Sequence, residues 1–180
     1  WCGVVSLNGC ATSTSSNPAA SDVATEPAPL SLIPWPAQVE RGIGTLHIDA
    51  DTLVIAGADK ESARYFVDLV QRTRGLKLTL SDGTATTSPA IHFALDAAAP
   101  AGDEAYALDV DAHGVHVRAR SQTGLFYGGI TLWQLLTNDG GRGDAMLPTL
   151  HIQDTPRFAW RGVMLDVARH FRTTDDVKRL

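Results

Sequence analysis

The side chains of this sequence that are equipped for chemistry fall into a few short runs. Asp166, Arg169 and His170 stand close together near its end, offering a carboxylate, a permanently charged donor fork and an imidazole that titrates near neutrality. Asp103-Glu104 and Asp175-Asp176 are adjacent carboxylates, the raw material of acid–base catalysis. The first pair lies in a glycine-rich loop and is expected to be solvated; the second is expected to be the acidic first turn of a helix. His113-x-x-His116 has metal-binding side chains, but a turn residue and an outward-facing strand residue lack a third ligand, so no metal is expected. Gly140-Gly141-Arg142-Gly143 lacks the Lys-Ser/Thr of a phosphate cradle and is expected to be a turn, and no cofactor is expected. Cys2 and Cys10 are the only cysteines, which excludes a disulfide-stapled scaffold and any cysteine-held zinc in the body of the chain.

These groups need elements to hold them. The 180 residues are enough for one domain of roughly 150 and a remainder. Leu32-Ile33-Pro34-Trp35-Pro36 opens the folded part, its prolines forcing extended backbone. Thr45–Ala50, Thr52–Ile55, Leu76–Leu80, Ile91–Leu95 and Met146–Gln153 are expected as strands. Between the second and third, Ala63, Phe66, Val67 and Val70 mark one face of a helix. Asp59 would be its N-cap, Glu61 lies in its first turn, Arg72 and Arg74 complement its C-terminal dipole, and Gly75 ends it. Tyr106–Val110 and Val115–Ala119 alternate apolar and polar residues about an Asp111-Ala112-His113-Gly114 turn, the pattern of a half-buried hairpin. Leu125 to Thr137 is a second, mostly apolar helix, in which Gly128-Gly129 signals close backbone packing on a sheet. The expected architecture over residues 30–153 is α+β, an antiparallel-rich sheet with two helices packed on it. Trp35, Trp133 and Trp160 are expected in core or interdomain packing. Val163, Leu165 and Val167 then alternate with Met164, Asp166 and Ala168, nearly apolar on both sides, as in a parallel strand buried on both faces. Thr173–Lys178 follows as a helix start capped by Thr174 or Asp175.

Charge and composition narrow the partners. Fifteen Lys and Arg against twenty Asp and Glu give a net charge of −5, which argues against nucleic acid or a polybasic membrane surface. No run of eighteen apolar residues is present to span a membrane. Leu7-Asn8-Gly9-Cys10 resembles a bacterial lipobox, in which the Cys is lipidated after cleavage. The Ser/Thr/Ala/Pro-rich stretch that follows cannot bury enough to offset its ordering entropy. Residues 1–29 are therefore expected to be an exported, lipoprotein-like leader and tether, with Cys10 as the lipidated residue. Membrane contact would come only through that anchor, in the bacterial periplasm or at the outer membrane.

The run Asp154-Thr155-Pro156-Arg157-Phe158-Ala159-Trp160-Arg161-Gly162-Val163-Met164-Leu165-Asp166-Val167-Ala168-Arg169-His170-Phe171 closely resembles the start of the catalytic barrel of family 20 glycoside hydrolases, the β-N-acetylhexosaminidases. Pro34-x-Pro36, Gly124-Leu125-Phe126-Tyr127-Gly128 and Thr131-Leu132-x-Gln134-Leu135 agree in kind, so the resemblance covers residues 30–180. It implies an N-terminal α/β domain over 30–153, followed over 154–180 by the first strand and helix start of an incomplete (β/α)8 barrel, a fold that typically takes about 250 residues. It also implies that Arg169 binds hydroxyls of a terminal sugar, for which a planar donor fork is suited. Asp166 would either orient Arg169 or be a buried barrel acceptor, His170 would be a ring packed beside them, and Arg161, at the other end of the strand, would be structural.

The implied reaction removes terminal β-linked GlcNAc or GalNAc with retention, the sugar's own 2-acetamido carbonyl acting as nucleophile. An Asp orients that amide and the adjacent Glu protonates the leaving oxygen, from a His-x-Gly-Gly-Asp-Glu type motif that does not occur here. No catalytic residue is therefore expected in this chain, and the 180 residues alone are expected to be inactive. The expected partner is a glycan with a terminal N-acetylhexosamine. The alternative is a non-catalytic, lipid-tethered α/β module that binds a glycan or another partner.

Overall fold

The structure is a computed structural model that describes residues 29–57, 60–83 and 89–179, together with Trp1. The expected lipidation site Cys10, the rest of the leader and the N-cap expected at Asp59 lie outside the described residues.

Seven strands form one sheet: β1 (Gln38–Ile48), β2 (Leu53–Ala56), β3 (Thr79–Ser81), β4 (Ala90–Leu95), β5 (Tyr106–Val110), β6 (Gly114–Ala119) and β7 (Ala145–Asp154), in the order β1-β7-β5-β6-β4-β2-β3. Helix α1 (Lys60–Arg74) connects β2 to β3 and α2 (Gln122–Thr137) connects β6 to β7. The two helices pack on each other and on the sheet.

The sheet is mixed, where an antiparallel-rich one was expected. β1, β7, β5 and β6 pair antiparallel, whereas β6 with β4, β4 with β2 and β2 with β3 pair parallel. The hairpin of β5 and β6 signals its direction locally, but a helix between two strands returns the chain parallel to its start, and α1 does this between β2 and β3. β1 begins seven residues earlier than its apolar pattern, at Gln38, because it is an edge strand paired only with β7 and tolerates the polar run Gln38–Arg41. A register shift between Arg41 and Thr45 splits it, with Gly44 at φ +107°, a conformation that disfavours any side chain. Leu76 and Leu78 are buried but precede β3.

The core lies between the sheet and the helices. Phe66 and Val70 of α1 meet Phe93 of β4, with the two phenyl centroids 5.5 Å apart, and Leu125 and Leu132 of α2 are fully buried. Ser121 caps α2 by accepting from Gly124 N at 3.0 Å. The expected close packing of α2 is present. A Cβ on Gly128 would stand 2.6 Å from Val117 Cγ1, one on Gly129 3.1 Å from the Phe93 ring, and one on Gly124 2.3 Å from the Ala105 carbonyl oxygen.

Arg74, at the C-terminal end of α1, is only 2% exposed. Its Nε donates to Gly143 O (2.7 Å), its Nη1 to Leu136 O (2.5 Å) and Asp139 Oδ1 (2.6 Å), and its Nη2 to Asp139 Oδ2 (3.1 Å) and Asp144 O. Its own carbonyl accepts from Gly143 N at 3.0 Å. The arginine expected to serve a helix dipole thus ties α1 to the end of α2 and the start of β7. Hydrogen bonds from Arg74, with one from the Gly141 amide, hold the Asp139 carboxyl at about 2.

Residues 155–173 contain no strand, so the barrel strand expected over Val163–Val167 is absent from the described structure. Val163, Leu165 and Val167 are exposed. A parallel strand exists only by its ladder, and neither edge strand, β1 or β3, takes this run as a neighbour. The short helix α3 (Thr174–Val177) is capped by Thr173, one residue before the expected position, through a reciprocal pair with Asp176: Asp176 N donates to Thr173 Oγ1 (3.2 Å) and Thr173 N to Asp176 Oδ2 (3.2 Å).

Arg74→Met keeps the bulk of the side chain and leaves three carbonyls and Asp139 without their donor. It is expected to cost about 3 kcal/mol, read as a fall of about 10 °C in Tm for a domain of this size. Asp139→Asn, which retains an acceptor, is expected to cost less than half of that. Thermal melts of the two variants check the order.

Candidate active-site approach

The end of the sheet where the folded chain begins and β7 finishes carries an apolar cleft of about 430 Å³. Tyr127, Thr131 and Gln134 of α2 form one wall, Ile33, Pro34 and Trp35 a second, and Pro156, Phe158 and Arg161 a third, with Tyr106 among the lining residues. Gln134 holds the incoming chain with both ends of its amide: Ile33 N donates to its Oε1 (2.8 Å) and its Nε2 donates to Ile33 O (2.9 Å). Asp154 holds the crossing of the incoming and outgoing chains, its Oδ1 accepting from Ala37 N and from Thr155 N, each at 3.0 Å. The Tyr106 hydroxyl meets Thr131 Oγ1 at 2.6 Å, and burial pushes this phenol above its ordinary pKa.

Arg161 closes the cleft. Its Nη2 pairs with Glu104 Oε2 at 2.8 Å and donates to the Tyr127 hydroxyl at 3.3 Å, its Nη1 donates to Phe158 O at 2.6 Å, and the guanidinium lies 5.8 Å from the Tyr127 ring centre. Glu104, expected to be solvated, is instead the ion-pair partner of a residue 57 positions later. No local period links two such residues, so only the fold reveals the pair. Trp35 stands in the cleft wall, Trp133 donates from Nε1 to Thr73 Oγ1 at 2.9 Å, and Trp160, expected in packing, is 87% exposed.

Beyond Arg161 the chain is exposed through residue 175. Asp166 and Arg169 are together, with Arg169 Nε 3.5 Å from Asp166 Oδ2, and Asp166 Oδ1 accepts from Ala168 N at 2.9 Å. They stand at a bend over residues 168–170, which includes His170, and not at the end of a strand. The Arg169 side chain is 86% exposed and the Asp166 side chain half-exposed.

The other face of the sheet is polar. His151 of β7, Asp109 of β5, His116 of β6 and His92 of β4 lie in one row across four paired strands. His151 Nδ1 meets Asp109 Oδ1 at 2.5 Å, and Arg118 Nη2 donates to Asp109 Oδ2 at 2.7 Å. Burial raises the Asp109 pKa, but the hydrogen bonds from Arg118 and His151 outweigh it and the carboxyl lies below its ordinary value. His116 stacks on His92, ring centres 4.8 Å apart, while His113 belongs to the turn, its amide donating to Asp111 Oδ1 at 2.7 Å. Among the described residues no group of three or more His, Cys, Asp or Glu is placed to hold a metal ion.

A sheet with two helices on one face, leading into a segment that carries Asp166, Arg169 and His170, is the arrangement of an accessory domain joined to a glycosidase. Residues 29–155 match the family model described as "Glycosyl hydrolase family 20, domain 2", and residues 158–180 match that of "Glycosyl hydrolase family 20, catalytic domain". The chain belongs to glycosyl hydrolase family 20. It is 32% identical to a beta-hexosaminidase of Porphyromonas gingivalis, over 83% of this chain and 20% of that protein, and 35% identical to a beta-N-acetylhexosaminidase of Cellulomonas fimi, over 84% and 31%. Among solved structures it resembles the GH20 beta-N-acetylhexosaminidase of Streptomyces coelicolor, with a TM-score of 0.69 and 38% identity over 86% of this chain and 32% of that one. It also resembles the GH20 exo beta-N-acetylglucosaminidase of Vibrio harveyi in complex with N-acetylglucosamine, with a TM-score of 0.70 and 29% identity over 82% and 22%. The chain thus spans between a fifth and a third of the length of these relatives.

Burial, followed by the neighbouring His116, lowers the His92 pKa from its ordinary 6.5. A group whose folded pKa is depressed contributes stability that is complete above its unfolded pKa and is lost as pH falls through the folded one. The wild-type Tm is therefore expected to drop between pH 7 and pH 5 more than that of His92→Gln, the two curves converging toward pH 5. Melting curves across that range check it; parallel curves would sink the assignment.

Proposed function

We propose that this chain is the N-terminal part of an exo-acting β-N-acetylhexosaminidase that removes terminal β-linked GlcNAc or GalNAc from glycans. The observation that carries this reading is the unbroken passage from a match to the accessory domain (29–155) into a match to the catalytic domain (158–180), with relatives named for hexosaminidase activity on both sides of the junction. In this reading hydrolysis is assisted by the substrate: the 2-acetamido carbonyl attacks the anomeric carbon, an Asp orients the amide and the neighbouring Glu protonates the leaving oxygen. Those two carboxylates are proposed to lie outside these 180 residues.

The role proposed for the present chain is to bind the sugar. Arg169 holds adjacent hydroxyls of the terminal residue with two of its N–H groups, and Asp166, already 3.5 Å from Arg169 Nε, keeps the guanidinium turned toward them. His170 packs beside the pair. The segment 161–171 is proposed to become the first barrel strand when neighbouring strands supply its ladder, which would cover Val163, Leu165 and Val167. The leader is proposed to place the enzyme outside the bacterial cytoplasm, anchored by a lipid on Cys10.

In the full-length enzyme, Arg169→Ala is expected to cost about 1.5–3 kcal/mol of transition-state binding, roughly ten- to a hundred-fold in kcat/KM on an aryl β-N-acetylglucosaminide. A mutant with wild-type kcat/KM would remove Arg169 from the site. Full-length protein without turnover on such substrates would instead favour a glycan- or partner-binding module. The 180-residue chain assayed by itself is expected to show no turnover; measurable hydrolysis would mean that the active site lies within it.

A further inference from the structure

Arg161 is the last residue before the exposed segment whose side chain reaches back to the sheet and its helices. Its anchors come from two separate elements, Glu104 in the loop before β5 and Tyr127 on α2, and from Phe158 O on its own approach. A guanidinium fixed by contacts in its plane and against a ring face has little rotational freedom left, which a lysine ammonium in the same place would retain. Yet the Arg161 side chain is 41% exposed, and an ion pair so open to water contributes little to stability. The clamp defines a direction more than it adds cohesion.

We propose that Arg161 is a positioning residue: through Glu104 and Tyr127 it sets the direction in which the chain leaves the small domain, and thereby where Asp166 and Arg169 stand. The inference rests on the hexosaminidase reading above for its kinetic consequence, but its structural half stands independently. Eight residues separate Arg161 from Arg169, a reach of about 26 Å if extended. A swing of about 10° at Arg161 would move the far end by about 4.5 Å over that reach. A displacement of about 1 Å of a substrate-positioning group is enough to cost about a hundred-fold in rate. The approach up to Arg161 is correspondingly stiff, since Asp154 pins the crossing and Pro156 fixes its own φ.

The test uses the full-length protein with Arg161→Ala, Arg161→Lys, Glu104→Gln and the Arg161→Ala/Glu104→Gln double variant. The expected result is a loss of about ten-fold or more in kcat/KM for Arg161→Ala, carried mainly by KM, with Tm unchanged within about 2 °C. Arg161→Lys should recover part of that loss, and the double variant should be no worse than Arg161→Ala, because both changes cut the same clamp. Amide exchange in the same proteins should be faster over residues 162–169 in Arg161→Ala than in wild type. Wild-type kcat/KM in Arg161→Ala, alongside an impaired Arg169→Ala, overturns the positioning role and leaves the hexosaminidase reading standing. Unchanged exchange over 162–169 overturns it even in a protein without turnover, where the hexosaminidase reading itself has failed. If Arg161→Ala does not fold, the same two readouts on Arg161→Lys decide.

Discussion

A guanidinium withdrawn from water has to find an acceptor for each of its five N–H groups, and Arg74 finds them on residues that the chain reaches only after four more strands and a second helix. Three acceptors are backbone carbonyls, of Leu136, Gly143 and Asp144, and the fourth is the Asp139 carboxylate. The loop between α2 and β7 is shaped by this demand. Gly140 and Gly143 take φ of +63° and +73°, which lets the chain fold around the guanidinium, and Gly143 N returns a bond to the Arg74 carbonyl. With that loop fixed, β7 enters the sheet between β1 and β5, and the antiparallel half of the sheet has its centre. Asp139 is largely exposed, so the energy resides in the satisfied carbonyls more than in the charge pair.

The two faces of the sheet are divided in consequence. One is covered by α1 and α2 and is purely apolar where they touch it, with glycines on α2 admitting Val117, Tyr106 and Phe93 to van der Waals contact. The other carries Asp109 between His151 and Arg118, with His116 stacked on His92. The polar row is stable because neighbours on paired strands offer complementary groups: one carboxylate serves an imidazole on one side and a guanidinium on the other. His92, which has only another imidazole to face, is the member of the row that is held neutral.

Local signals made much of this readable. The apolar face of α1, the α2 glycines, the hairpin turn at Asp111–Gly114 and the strand β7 all follow from periods of a few residues. What did not follow were properties that depend on partners far away in sequence. The sheet's mixed direction is set by which strands α1 joins, β1 extends through a polar run because it lies at an edge, and Arg74 is buried because a loop 65 or more residues later closes on it. The site behaves alike. Asp166 and Arg169 are near each other because they are three residues apart, whereas the Glu104–Arg161 pair joins a loop to the end of the chain and carries no sequence period at all.

The same distinction explains why residues 162–171 are apolar and yet exposed. A half-buried strand declares itself by alternation, but Val163, Met164, Leu165 and Val167 are apolar on both sides, so whichever face meets the small sheet, the other would remain in water. The edges of that sheet cannot satisfy such a run. β1 ends its pairing on β7 with polar residues outward, and β3 is only three residues long, too short to template a strand. The segment therefore passes both edges by, held at one end by Arg161 and at the other only by the local Thr173–Asp176 capping box. Its composition suits surroundings that cover it from two sides, and the side chains it would present at its far end, Asp166, Arg169 and His170, are the polar exceptions in an otherwise apolar stretch.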